Sequence, residues 1–347
     1  MTGWRHRGVH AALGAALLFG ISTPFAKLLL GEASPWLLAG LLYLGSGIGL
    51  WGLRRLQRKP RAMIDPAERI WLIAAIAMGG AVAPVLLLWG LARMPASGAA
   101  LLLNAESVFT ALIAWFVFRE NFDRRIALGM LAIVAGALVL SWPGEARFTA
   151  ALPALAVLGA CLAWALDNNL TRRVSLADPT FIAMAKGLVA GSVNLSLALA
   201  IGTRFPSAGI VLASLALGLI SYGVSLSLFV TALRDLGTAR SGAYFATAPF
   251  AGALIAVVLL GEPVSAPFFA AAGLMALGVW LHLTERHAHV HTHEPIEHIH
   301  EHVHDAHHDH PHDAPVAPGT RHTHRHRHEA ITHAHVHYPD AHHRHRH

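Results

Sequence analysis

The chain has 347 residues, 54% of them apolar and only 13% charged, with a formal charge of +6. A charged share about half that of ordinary soluble domains argues against two soluble domains of this combined length and points to a membrane protein. The single cysteine, Cys161, excludes an intrachain disulfide.

A helix needs about 20 apolar residues to cross a bilayer, and ten such segments follow one another: 8–30, 34–53, 70–92, 95–118, 125–142, 150–170, 179–202, 208–232, 238–260 and 265–284. The first follows Arg5 and Arg7 as a signal peptide would, but nine more spans and no small-residue cleavage site come after it, so it reads as span one. With the N-terminus inside, the inner segments hold sixteen Lys and Arg, whereas the outer loops hold Arg93, Arg147 and Arg204 only. Cytoplasmic loops retain positive charge, so both termini are expected in the cytoplasm and the chain is expected as a multi-pass protein of the cytoplasmic membrane. The basic balance follows from this topology and implies no nucleic-acid partner.

Leu91–Glu120 and Leu233–Glu262 align without a gap at an offset of 142 residues, sharing Ala-Leu-Ile-Ala at 111–114 and 253–256. Gly14–Phe19 and Gly159–Trp164 correspond in the opening span of each half, with Lys27 and Arg172 at matching positions. Each half holds five spans. Five is odd, so the second copy is expected upside down in the membrane, the inverted-repeat plan of secondary transporters. The expected class is an all-α integral membrane protein of ten transmembrane helices in two inverted five-helix repeats, 8–142 and 150–284, followed by a disordered His-rich cytoplasmic tail, 285–347. Gly45 and Gly49 form a small-residue face suited to close helix contact, and Pro24, Pro84 and Pro249 interrupt helices.

An aromatic followed by a small residue in the first helix of each half (Phe19-Gly20, Trp164-Ala165), and an Ala/Leu-rich fourth helix ending in Glu120 or Glu262, resemble the drug/metabolite transporter superfamily, EamA type. The resemblance covers about 8–284 and implies ten helices, a central cavity between the halves, and movement, often export, of a small organic solute. Members of that superfamily do not generally end in a histidine tract.

Ionisable groups inside a span cost roughly 2.5–3.5 kcal/mol on insertion scales and call for a partner or a wet cavity. Glu106 lies near the middle of the fourth span, with Asn104, Ser107 and Thr110 on the same broad side. It is read as a proton carrier or as a contact for a cationic solute group, against a purely structural, paired glutamate. Lys186, with Asn194 on its face, lies seven residues into the seventh span, and Asp167 at comparable depth in the sixth is its expected partner. Asn168 and Asn169 follow as candidates to cap or interrupt that helix. Ser214, Gly218, Ser221 and Ser225, with Tyr222 alongside, share one face of the eighth span, and Ser241, Tyr244 and Thr247 one face of the ninth. Both faces either line a cavity or permit close packing, and Phe19 and Trp164 read first as packing residues.

Twenty-three of the 26 histidines lie in 287–347, a segment too polar to build a core. The tract is itself duplicated: 293–310 aligns without a gap with 328–345. The first copy is acidic and the second is flanked by Arg321, Arg325 and Arg327, so the two could associate. Histidines at every second position project to one side of an extended chain. Imidazole and carboxylate without thiol suit Zn, Ni, Co or Cu(II). The candidate ligands are His293, His298, His300, His302, His307, His308, His310, His328, His333, His335, His337, His342, His343 and His345. His300-Glu301-x-x-His304 matches a metalloprotease pattern formally, as a tract this rich would by chance.

The sequence thus predicts a secondary transporter, an exporter, of a small organic metabolite or drug with a metal-binding regulatory tail, and no enzyme. A divalent-metal transporter fed by the tail is the alternative, and a membrane-anchored metal-binding protein without transport is a third. Expected partners are the lipid bilayer, a small-molecule substrate and divalent metal ions at the tail; no cofactor is required, and a homodimer is left open.

Overall fold

The computed structural model describes residues 7–59, 64–118, 124–141, 148–261, 264–284, 288–292, 296–302, 322–328 and 332–336. Ten apolar helices follow in order: α1 Arg7–Leu29, α2 Pro35–Leu56, α3 Pro66–Leu91, α4 Ala96–Phe116, α5 Arg124–Ser141, α6 Phe148–Val174, α7 Pro179–Ala200, α8 Ala208–Leu236, α9 Thr238–Leu260 and α10 Ala266–Leu283. Eight have the length and hydropathy to cross a membrane, and α5 and α10 carry shorter apolar stretches. The ends are set by local chemistry. Ser34 caps α2 through Leu37 N, Asp178 caps α7 through Thr180 N and Phe181 N, and each helix then opens on proline, whose fixed φ and missing N–H suit that position.

The irregularities repeat with the halves. α3 widens to a π-turn at Ile76–Val82 and α8 does so at Leu219–Val224; α4 breaks at 103–104 and α9 at 246–247. Proline explains part of this, because it removes a donor and crowds the carbonyl four residues earlier. Pro24 follows the break of α1 at Ile21, Pro84 the π-turn of α3, and Pro249 the break of α9. The carbonyls so released find side chains. Gly80 O accepts from Asn194 Nδ2 at 2.8 Å, and Gly79 O from Tyr43 Oη at 2.6 Å and Trp164 Nε1 at 3.0 Å. In α8, Tyr222 O accepts from Ser46 Oγ at 3.0 Å. Helix α6 runs unbroken through Asn168 and Asn169, the residues read as candidates to cap or interrupt it, and they do neither.

Helices α2 and α7 pack side by side at the centre, where a Cβ on Gly47 or Gly187 would collide with the facing backbone. Gly45 meets Leu215 of α8 in the same way, which is the close contact its small-residue face predicts. Beyond the helices, β1 Ala288–Thr292 pairs antiparallel with β4 Thr332–Val336, and β2 Ile296–His302 with β3 His322–His328. The sequence reading left the whole tail disordered, so these four strands differ from it. A histidine at every second position matches the two-residue period of a strand, and one register runs through both ladders, setting His298 opposite His326 and His300 opposite His324.

Candidate functional site

The seven-residue spacing of Lys186 from Pro179 and of Asp167 from Val174 puts the two groups at one level of neighbouring helices. Lys186 Nζ meets Asp167 Oδ1 at 2.5 Å and donates to Thr171 Oγ1 at 2.8 Å, while Thr171 donates to Asp167 at 2.8 Å. Lys186 is only 2% exposed, so it does not snorkel to the membrane surface. The predicted pair exists, and the hydrogen bonds among Lys186, Asp167 and Thr171 offset part of the desolvation of its charges.

Glu106 opens the second segment of α4, just after the break. Its Oε1 accepts from Asn168 Nδ2 at 2.8 Å, and the same amide reaches Thr110 Oγ1 at 3.3 Å. Asn169 Nδ2 donates to Thr110 O at 3.1 Å, so α4 and α6 are stitched by amides. Asn104 takes another path: its Nδ2 donates to Leu101 O at 3.0 Å and lies 3.5 Å from Met275 Sδ of α10, satisfying a carbonyl at the break.

These groups border a cavity of about 490 Å³, its mouth included, lined by Phe19, Tyr43, Trp164, Tyr222, Phe229 and Phe245 with Glu106, Asp167, Asn168, Lys186, Ser221, Ser225 and Leu226. The rings form a connected set, with neighbouring centroids 4.7–5.7 Å apart. Phe19 and Trp164, read as packing residues, pack on each other and also face this space. Glu106 also borders a smaller space of about 280 Å³ between the breaks of α4 and α9.

The structure sorts the expected residues. Glu106, Asp167, Lys186, Ser221, Tyr222 and Ser225 line the cavity. Ser221 and Ser225 spend their hydroxyl protons on Leu18 O and Ala15 O of α1, each at 2.8 Å, so they also fasten α8 to α1. Asn104, Thr110, Asn194 and Tyr244 lie outside the lining: Thr110 is a buried acceptor for Asn168, Asn194 holds Gly80 O, and Tyr244 packs beside Val9, Ala12 and Leu236. Sequence reasoning missed Tyr43, Phe229 and Phe245, and gave Asn168 only a local role. Of the candidate metal ligands, His298, His300, His302, His328, His333 and His335 lie on the strands. His293, His307, His308, His310, His337, His342, His343 and His345 lie outside the described residues. Among the described residues, no three His, Cys, Asp or Glu gather where they could hold a metal ion.

Asp167, Lys186, Phe229 and Phe245 each lie seven residues from one end of their helices, and that end carries Arg172, Arg173, Arg234 and Arg240. At 1.5 Å per residue the cavity is thus roughly 10 Å below the arginine-rich face. At the same face Arg54 Nη1 donates to Asp178 Oδ2 and Thr180 Oγ1, each at 2.6 Å, joining α2 to α7. Burial alone would raise the Asp178 carboxyl, but hydrogen bonds from Thr180 and Arg54 and the charges of Arg54 and Lys59 hold it below its ordinary value. At the opposite face Lys27 Nζ donates to Leu91 O at 2.7 Å and Met94 O at 2.9 Å, tying α1 to the end of α3.

Ten apolar helices around an aromatic cavity that holds one ion pair and one further carboxyl define a multi-pass membrane protein of the transporter type. The profile of the EamA-like transporter family matches residues 6–142 and again 151–284, and the chain belongs to that family. It is 30% identical over 279 residues to an uncharacterized transporter of Methanothermobacter thermautotrophicus, covering 74% of this chain and 80% of the other. It is 33% identical over 106 residues to a probable 4-amino-4-deoxy-L-arabinose-phosphoundecaprenol flippase subunit ArnE of Pseudomonas fluorescens, covering 30% of this chain and 91% of that one. A solved crystal structure shares the fold with a TM-score of 0.65 at 19% identity, covering 81% of this chain and 99% of that chain. The protein is a membrane transporter of the EamA type, in contact with lipid and acting on a small molecule.

Proposed function

We propose that the protein is a secondary exporter of a small organic solute, working in the cytoplasmic membrane by alternating access between two inverted halves, 8–142 and 150–284. In this reading both termini are cytoplasmic, solute enters from the arginine-rich face, and Lys27 helps to close the other. The observation that carries the reading is Glu106: a carboxyl set in the cavity wall whose described partner is a neutral amide, 2.8 Å away. Such a group can exchange a proton or a solute charge, whereas Lys186 and Asp167 hold each other. The test uses everted vesicles containing wild type or Glu106→Gln, energised with a proton gradient and challenged with a panel of small organic solutes while a pH-sensitive dye reports proton movement. Solute-dependent proton flux is expected for wild type and lost in the variant. Equal flux in both would leave Glu106 a packing residue.

A second reading concerns the tail, for which we propose regulatory binding of Zn, Ni, Co or Cu(II), separable from transport. The strand register supports it, because histidines of the two strands stand opposite one another at alternate positions. The cavity lining contains no histidine or cysteine, which disfavours a dedicated transition-metal path. Imidazole must be neutral to ligate, so binding weakens as pH falls below about 6.5. Truncation after Arg286 is expected to remove metal binding and keep organic-solute flux. Loss of flux in a folded truncated protein would overturn separability.

A further inference from the structure

We propose that this cavity selects an organic monocation, a solute carrying one positively charged nitrogen on or beside a flat apolar body. The inference rests on the transport role proposed for the same cavity and names the substrate class that its chemistry fits.

The first argument is a balance of charges. Apart from the phenols of Tyr43 and Tyr222, the titratable groups of the lining are Glu106, Asp167 and Lys186. The single ammonium is taken: Asp167 meets it at 2.5 Å and Thr171 at 2.8 Å. That leaves the Glu106 carboxyl over. One of its oxygens accepts from Asn168, and no described group donates to the other. A cationic solute supplies the missing partner. An anionic solute would enter a space with two carboxyl groups whose one cation is already engaged, and could bind only by breaking the buried pair.

The second argument is the kind of surface around that carboxyl. Tyr43 and Trp164 both direct their polar hydrogens to the same carbonyl, Gly79 O, at 2.6 and 3.0 Å. What these two residues offer a solute is therefore ring surface. Phe19, Tyr222 and Phe245 extend it, with Phe19 in contact with Trp164, Tyr222 and Phe245 at centroid distances of 5.3–5.7 Å. The negative face of an aromatic ring attracts a cation within about 6 Å and stacks well on a flat apolar body. Rings plus one carboxyl, itself hydrogen-bonded to Asn168, do not replace the oxygen shell of a small metal cation such as Mg or Ca, which takes six or more hard ligands. An organic cation is weakly hydrated and brings its own apolar bulk.

The experiment uses the full chain in lipid nanodiscs, titrated by calorimetry with three probes of similar size: benzyltrimethylammonium, phenylacetate and benzyl alcohol. The cation is expected to bind about tenfold or more tighter than either of the others. Glu106→Gln should remove that preference and leave benzyl alcohol within about twofold. Phenylacetate or benzyl alcohol binding wild type as tightly as the cation overturns the proposal, as does absence of cation binding or an unchanged preference in the variant. Should Glu106→Gln fail to fold, the selectivity of wild type alone decides. The same probes in proteoliposomes separate the two readings: a cation that binds but is not carried sinks the transport role and leaves the selectivity, whereas preferred carriage of phenylacetate sinks the selectivity and leaves the transport role.

Discussion

Helix contacts α4–α6 and α9–α1 occupy corresponding places in the two halves and are built from opposite chemistry. At the 142-residue offset Glu106 corresponds to Ala248 and Thr110 to Gly252; at the 145-residue offset of the opening spans, Asn168 corresponds to Thr23 and Ala165 to Gly20. In the first contact, amides of α6 reach a carboxyl, a hydroxyl and a carbonyl of α4. In the second, a Cβ on Gly20 would strike Ala248 O, and a Cβ on Gly252 would lie 2.8 Å from Gly20 O. Pro24 releases the Gly20 carbonyl from its helix, and that carbonyl then stands against Gly252. Duplication kept the helix breaks of α4 and α9 and the π-turns of α3 and α8, while the side chains diverged. One contact became polar and opened onto the cavity, and the other became a seam of backbone against backbone.

The largest expected effect lies beside the polar contact. Lys186→Met strands Asp167 as a buried, unpaired carboxylate, and breaking a buried pair costs about 3–5 kcal/mol. Thermal unfolding in detergent should show it as a large drop in Tm. Adding Asp167→Leu should recover most of the loss, since an apolar pair carries no desolvation penalty. If the double variant is no better than the single, the pair contributes more than mutual neutralisation, and the account of α6 and α7 fails.

On the apolar seam, Gly20→Val should cost about 1–3 kcal/mol, the usual range for overpacking, because the added carbons meet backbone that cannot rotate away. Gly52→Val is the control, since a Cβ there meets nothing within 4 Å. A Gly20→Val protein as stable as wild type would show that α1 and α9 separate easily, and the contrast between rigid seam and polar wall would be lost.

Much of this arrangement was legible in the sequence, for physical reasons that also mark where legibility ended. Spans announce themselves because a bilayer demands apolar length, and charges within them stand out because burial is costly. Glu106, Asp167 and Lys186 were found that way. Tyr43, Phe229 and Phe245 were not, because an aromatic in an apolar span has the same sequence signature whether it faces lipid, core or cavity. For α9 the hydroxyl-bearing stripe chose Tyr244, but that side packs on α1 and α8, and its neighbour Phe245 reaches the cavity. Asn194 was placed on the face of Lys186, beside the expected ion pair. Its partner, Gly80 O, is 114 residues away and becomes available only because α3 widens just before Pro84. Asn104 is likewise occupied by the break of its own helix, an event that no periodicity reveals.

The smallest expected effect sharpens the comparison at the ends of the central pair. Ser34 and Asp178 hold corresponding places, each an N-cap followed by proline, yet they meet different partners across the α2–α7 contact. Ser34 Oγ reaches Thr203 Oγ1 at 3.5 Å, a weak hydroxyl contact, whereas Asp178 meets Arg54 at 2.6 Å with Lys59 3.9 Å away. Because the Asp178 carboxyl is held below its ordinary value in the folded protein, its charged form stabilises the fold. That contribution is fully present above the unfolded value near 3.9 and is lost as pH falls through the lower folded value. Asp178 is partly exposed, so screening keeps the effect under about 1 kcal/mol. Asp178→Asn isolates the charge, since asparagine also caps helices. Near neutral pH its Tm should lie slightly below wild type; the gap should close in acid and narrow in high salt, as for exposed ion pairs. Ser34→Ala should give a difference that does not change with pH. A gap for Asp178→Asn that persists unchanged at low pH would assign the effect to the helix cap, leaving the two ends of the α2–α7 contact equivalent in strength.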